Sequence, residues 1–220
     1  MKRRLSKFLG GVSVFILVGA VWCSTASADL FTITGVNDST LTADIDFAFN
    51  ATTGVVDIGI TNNSPYDARL TAFAFNVPNA ITGVSDFTSD LTGWDYLYDP
   101  DGINTPGQFG LFDLAGITGP NFNGGFPNDG IPPDGEIDFS FTLAGDFTGL
   151  TTNSFLDEFS AAEPGQTYPQ YFIGRFQRTG ECGEGSDVAI PNAPPVPEPA
   201  TMLLVGVGLS LVGLKKKIAG

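Results

Sequence analysis

An antiparallel β-sandwich of the jelly-roll or Ig-like kind is the predicted fold of residues 29–182. Three observations predict it. Apolar and polar residues alternate along several short runs, clusters of turn-forming residues separate those runs, and no stretch between them keeps a helical period. The alternation is cleanest in "ADIDFAFN", where Ile45, Phe47 and Phe49 take one face, and in "EIDFSFTL", where Ile137, Phe139, Phe141 and Leu143 do. Successive side chains of a strand point to opposite faces, so each run offers one face to a core and one to water.

Residues 1–28 read as a signal peptide: a basic start (Lys2, Arg3, Arg4, Lys7), the apolar run "FLGGVSVFILVGAVW", and small residues at Ala26 and Ala28. Small residues at those two positions are what a signal peptidase accepts, so cleavage before Asp29 is expected. The strands follow. "VVDIGIT" alternates through Val56, Ile58 and Ile60, "LTAFAFNV" through Phe73, Phe75 and Val77, and "YFIGRFQ" is a later, weaker case. Turns are expected at "NNSPYD" (62–67), "DPDG" (99–102) and "NDGIPPDG" (128–135). Residues 99–135, rich in Gly, Pro and Asn, are expected as long loops at one end of the sandwich. Residues 183–196 read as an extended Pro/Gly-rich linker, and residues 197–217 as a tail.

That tail is "VPEPATMLLVGVGLSLVGLKKK" from Val196: a Pro-Glu-Pro tripeptide, an uncharged apolar stretch of 15 residues, then Lys215, Lys216 and Lys217. As a helix the stretch spans about 22 Å, short of the roughly 30 Å hydrocarbon core. It suits a transient anchor better than a permanent one. Lysines at its end place that end in the cytoplasm and the folded domain outside.

The charges are strongly segregated. All 24 acids lie between Asp29 and Glu198, against Arg69, Arg175 and Arg178, so this middle carries a net charge of −21. Such a domain repels phosphate backbones and anionic lipid, which sets nucleic-acid binding aside. The chain has no histidine, and no lysine between Lys7 and Lys215. Ser-His-Asp and Cys-His triads, His-ligated zinc, Schiff-base lysines and P-loops are therefore excluded within the domain. Cys182 is alone once Cys23 leaves with the signal peptide, so no internal disulfide supports the core.

Signal peptide, Pro197-Glu198-Pro199, short apolar helix and terminal basic cluster together resemble the PEP-CTERM sorting domain, with lysine where arginine is common. The segments "ITNNSPYDARLTAFAFNVP" and "FQRTGECGEGSD" are similar, less specifically, to parts of the β-rich ectodomains attached to such tails. The resemblance implies an exported protein of a Gram-negative bacterium, held briefly in the inner membrane and then released to the cell surface or extracellular matrix. An exosortase, a membrane-embedded cysteine transpeptidase-like enzyme, recognises and removes the tail. It implies an association with exopolysaccharide and no particular reaction.

Three chemistries remain for the domain. Calcium-binding turns are candidates at Asp99 and Asp101 (with Asn104), and at Asp129 and Asp134 (with Glu136). Hard cations need several such oxygens, but Asx residues also fill turns for conformational reasons, and no EF-hand pattern is present. Trp94, Tyr96 and Tyr98 alternate, which suits either a sugar-stacking face or, as expected here, a half-buried strand. Asp44 with Asp46, and Glu136 with Asp138, are acids on the solvent face of one strand each, where a glycosidase needs two facing across a cleft. The expected function is accordingly a non-enzymatic surface or matrix protein without a cofactor. A carbohydrate-binding module, with or without an assisting calcium ion, is the alternative, and a carboxylate glycoside hydrolase the third reading.

Overall fold

The computed structural model describes residues 28–105, 109–160 and 169–192. The signal peptide up to Ser27 and the tail with its Pro-Glu-Pro and lysine residues lie outside them. Ten strands form in chain order: β1 Ala28–Gly35, β2 Thr42–Asn50, β3 Val55–Asn62, β4 Arg69–Phe75, β5 Ile81–Ser89, β6 Asp95–Asn104, β7 Leu111–Ile117, β8 Glu136–Gly145, β9 Phe172–Thr179 and β10 Gly185–Pro191. Among the described residues a helix of five residues, α1 Thr152–Leu156, and a 3-10 turn at Pro127–Asp129 accompany them.

All strands join one antiparallel sheet in the order β5-β8-β3-β2-β1-β10-β9-β4-β7-β6. Its two end strands come back beside each other. The Phe87 ring on β5 lies 5.6 Å from the Tyr96 ring on β6, and the Tyr98 hydroxyl donates to the Ile81 carbonyl at 3.3 Å. The sheet is therefore nearly closed, its seam sealed by side chains and not by a backbone ladder.

The alternating runs are strands, with the expected faces inward. Phe47, Phe49, Phe139 and Phe141 are all buried, as are Val56, Ile58, Ile60, Phe73 and Phe75. Rings from opposite parts of the sheet meet in the middle: Phe47 of β2 packs edge-on to Phe75 of β4 at 5.2 Å, and Phe73 of β4 meets Phe139 of β8 at 4.8 Å. The β2–β3 hairpin shows how local chemistry sets register. Asn50 accepts the Thr52 and Thr53 amides on its side chain, and Gly54 takes φ 69° while donating to the Asn50 carbonyl. Helix α1 then covers one flank of the core, setting Phe155 4.7 Å from Phe49.

Two boundaries differ from the sequence reading. Residues 99–135 are not all loop: β6 runs through Asn104, and "LFDLAGI" forms β7 between β4 and β6. The reason is a second apolar cluster on the outer face of this region, made by Ala72, Ala74, Ala115, Ile117, Ile173, Phe112 and Phe122 among others. Strand β7 is buried continuously from Leu114 to Ile117, so its sequence loses the period of two that marks a half-exposed strand. The linker also begins later than residue 183. "GSDVAIP" is β10, pairing with β9 and β1, with Val188 and Ala189 buried. Its glycine and acid content hid a strand held by two neighbours.

Candidate functional site

The predicted calcium residues are scattered. Asp99 and Asp101 sit exposed at the irregularity in the pairing of β6 with β7, where Asp99 accepts the Asp101 amide at 3.0 Å, an Asx turn. Asp129 ends the 3-10 turn, and its carbonyl takes the Trp94 indole N–H at 2.9 Å. Asp134 has a left-handed backbone, φ 59°, and donates its amide to the Asn62 carbonyl. These aspartates have conformational work of their own. Among the described residues no group of three His, Cys, Asp or Glu side chains is placed to hold a metal ion.

Trp94, Tyr96 and Tyr98 are partly buried and pack against the main core, with Trp94 4.7 Å from Phe139. The core reading holds for them. The acids behave differently from expectation in one respect. Asp46 of β2 and Asp138 of β8 flank Gly59 of β3 in register, so acids from different strands do share a groove of about 430 Å³ with Asp57 and Asp90. A Cβ on Gly59 would stand 3.2 Å from an Asp138 carboxylate oxygen. Asp46, Asp57 and Asp138 are nevertheless exposed.

Two further concavities escaped the sequence reading. The first, about 140 Å³, includes Asp113, Asp101, Glu158 and Phe159. Asp113 is half-buried on β7 and accepts the Val77 amide at 3.1 Å. Burial pushes its carboxyl above the usual range, the charges of Glu158 and Asp99 add to this, and the Val77 bond opposes it. The folded value therefore exceeds the unfolded one. The cost of charging Asp113 is absent below the unfolded value, grows as pH climbs between the two, and is complete above the folded value. Asp113→Asn is expected to raise the urea midpoint at pH 7, with the gain gone by about pH 3. A gain of equal size at both pH values would contradict this assignment.

The second concavity, about 300 Å³, is lined by Tyr66, Asp67, Arg178, Gly180, Glu181, Cys182 and Gly183. It gathers the β3–β4 turn and the β9–β10 hairpin at one end of the sheet. Asp67 bridges two arginines, 2.9 Å from Arg69 and 2.7 Å from Arg178, and Arg178 also donates to Asn128 at 2.6 Å. The Arg178 and Arg69 guanidiniums hold the Asp67 carboxyl below the usual carboxylate range. Cys182 is free and exposed beside them. The signal for this site was present in "NNSPYDAR", where a tyrosine occupies a turn position that glycine or asparagine would fill more easily.

Fold and surface together define a strongly acidic, nearly closed all-β domain with shallow open concavities and a tail beyond its last strand. Residues 195–217 match the family model of the PEP-CTERM protein-sorting motif. The motif is that of a protein exported through a membrane-anchored intermediate to the cell surface and sorted by an exosortase-type enzyme. The matched segment is the tail alone. No curated protein and no solved structure matches the chain significantly. Among the described residues no helix is long and apolar enough to cross a membrane.

Proposed function

We propose that this chain is a non-enzymatic surface or matrix protein of a Gram-negative bacterium, sorted through its tail and associated with exopolysaccharide. The observation that carries the reading is the sorting motif at residues 195–217, close behind a strand that ends at Pro191. The chain contains no histidine, and the acids of the groove around Gly59 are exposed, which supports a role without catalysis and without a cofactor. The nearly closed sheet, with phenylalanines from opposite halves in contact, supports a flattened sandwich of the jelly-roll or Ig-like kind.

In this reading Pro197-Glu198-Pro199 stands just outside the inner membrane, and each proline disfavours a helical backbone in the residue before it. Lys215 to Lys217 hold the far end in the cytoplasm. Mass spectrometry of the mature surface protein tests the whole scheme. Peptides ending before Leu203 are expected; tail peptides from Leu203 to Lys215 still attached in an exosortase-competent host would make the segment an ordinary anchor.

The amino end adds a constraint on timing. Ala28 is already paired with Ala48 on β2, and Asp29 is only 2% exposed. A peptidase needs its substrate extended and free, so the signal peptide leaves before β1 closes. Refolded precursor is expected to resist purified signal peptidase, while denatured precursor, diluted into detergent with the enzyme, is cut before Asp29. Equal cutting of both would show that β1 does not protect the bond.

A further inference from the structure

We propose that the concavity between Tyr66 and Arg178 is a binding site for a neutral pyranose unit of a polysaccharide. Three non-glycine residues among those described have a left-handed backbone, and two of them, Tyr66 at φ 60° and Arg178 at φ 56°, line this one concavity. A bulky residue in that conformation is an outlier that the surrounding structure must enforce, and such strain collects at sites of function. Tyr66 is also 56% exposed, whereas Trp94, Tyr96 and Tyr98 are packed against the core. A strained turn has thus placed a ring in water at the mouth of a cavity.

The surroundings of that ring suit a sugar. A pyranose presents a face of C–H groups and a rim of hydroxyls; an aromatic ring takes the face, and planar polar groups take the rim. Asp67, Arg178 and Glu181 line the concavity and are such groups. The double contact of Arg178 with Asp67 and Asn128, and the contact of Asp67 with Arg69, hold the guanidinium fork in place before any ligand arrives. Gly180 and Gly183 also line it and put no side chain into the space: a Cβ on Gly180 would meet nothing within 4 Å, and one on Gly183 only the Arg178 Cβ at 3.8 Å. Asp67 and Glu181 offset Arg69 and Arg178 in the cluster, and the net charge of −21 between Asp29 and Glu198 opposes a carboxylated sugar, so the unit is neutral. The site is independent of the sorting tail.

Affinity electrophoresis of the mature surface protein tests this in native gels cast with galactomannan, dextran or xylan, and with alginate as the acidic counterpart. Retardation is expected in at least one neutral gel and not in alginate. Tyr66→Ala and Arg178→Ala are expected to weaken it at least tenfold, and Phe159→Ala, an exposed aromatic in another concavity, to leave it unchanged. Tyr66→Asn separates binding from folding, since asparagine adopts the left-handed conformation more readily. It is expected to lose retardation while its thermal midpoint stays level or rises. Migration unaltered in all three neutral gels would overturn the proposal. So would retardation that survives Tyr66→Ala, equal retardation in alginate, or a Tyr66→Asn protein that loses binding together with several degrees of its midpoint.

Discussion

Phe73→Ala is expected to cost about 3–5 kcal/mol of folding stability, the largest effect of any single core substitution proposed for this domain. Phe73 is fully buried on β4, stacked at 4° on Phe172 and in contact with Trp94, Phe139 and Phe141. These partners come from β8, β9 and the residue just before β6, so the ring joins opposite sides of the sheet. Its neighbour on β7 is Gly116, which pairs with it and leaves no room for substitution: a Cβ there would stand 2.5 Å from the ring. Truncation leaves a cavity that neighbouring strands, fixed in their ladders, cannot collapse to fill. Urea unfolding followed by tryptophan fluorescence measures the loss, because Trp94 touches the deleted ring. Phe126→Ala, at a ring 56% exposed, provides the comparison and is expected to change stability by no more than about 0.5 kcal/mol. Similar losses for the two would mean that Phe73 does not occupy the centre of the core.

Glu198→Ala is expected to leave almost all of the protein with its tail attached. The substitution touches neither the apolar stretch nor Lys215, Lys216 and Lys217, so membrane insertion continues. What changes is the tripeptide within the matched motif. Deleting the three lysines is expected to act earlier, disturbing retention before processing. Fractionation and intact mass of the two variants separate these effects: membrane-bound and full-length for the first, mislocalised for the second. A Glu198→Ala protein processed as the wild type would show that the glutamate is not read.

Most of the half-exposed strands were legible in the sequence. Phe47, Phe49, Phe139 and Phe141 face inward because each alternates with residues that water must reach, and a period of two is a local property of the chain. The strands with two buried faces were less legible. On β4 the small residues Ala72 and Ala74 fill the outer face while Phe73 and Phe75 fill the inner one, so size alternates there and polarity does not. Strands β7 and β10 lacked alternation altogether, and long-range pairing made them.

By itself the sequence determined the all-β class, the segregation of charge, the absence of histidine chemistry and the sorting tail, all of which are properties of composition or of contiguous residues. Tertiary structure alone decided which separated residues meet. It turned Trp94, Tyr96 and Tyr98 toward the core, drew Asp46 and Asp138 together over Gly59, and set Tyr66 beside Arg178 although 111 residues separate Asp67 from that arginine. Sheet order and closure fix such encounters, and they depend on long-range pairings that no local pattern encodes.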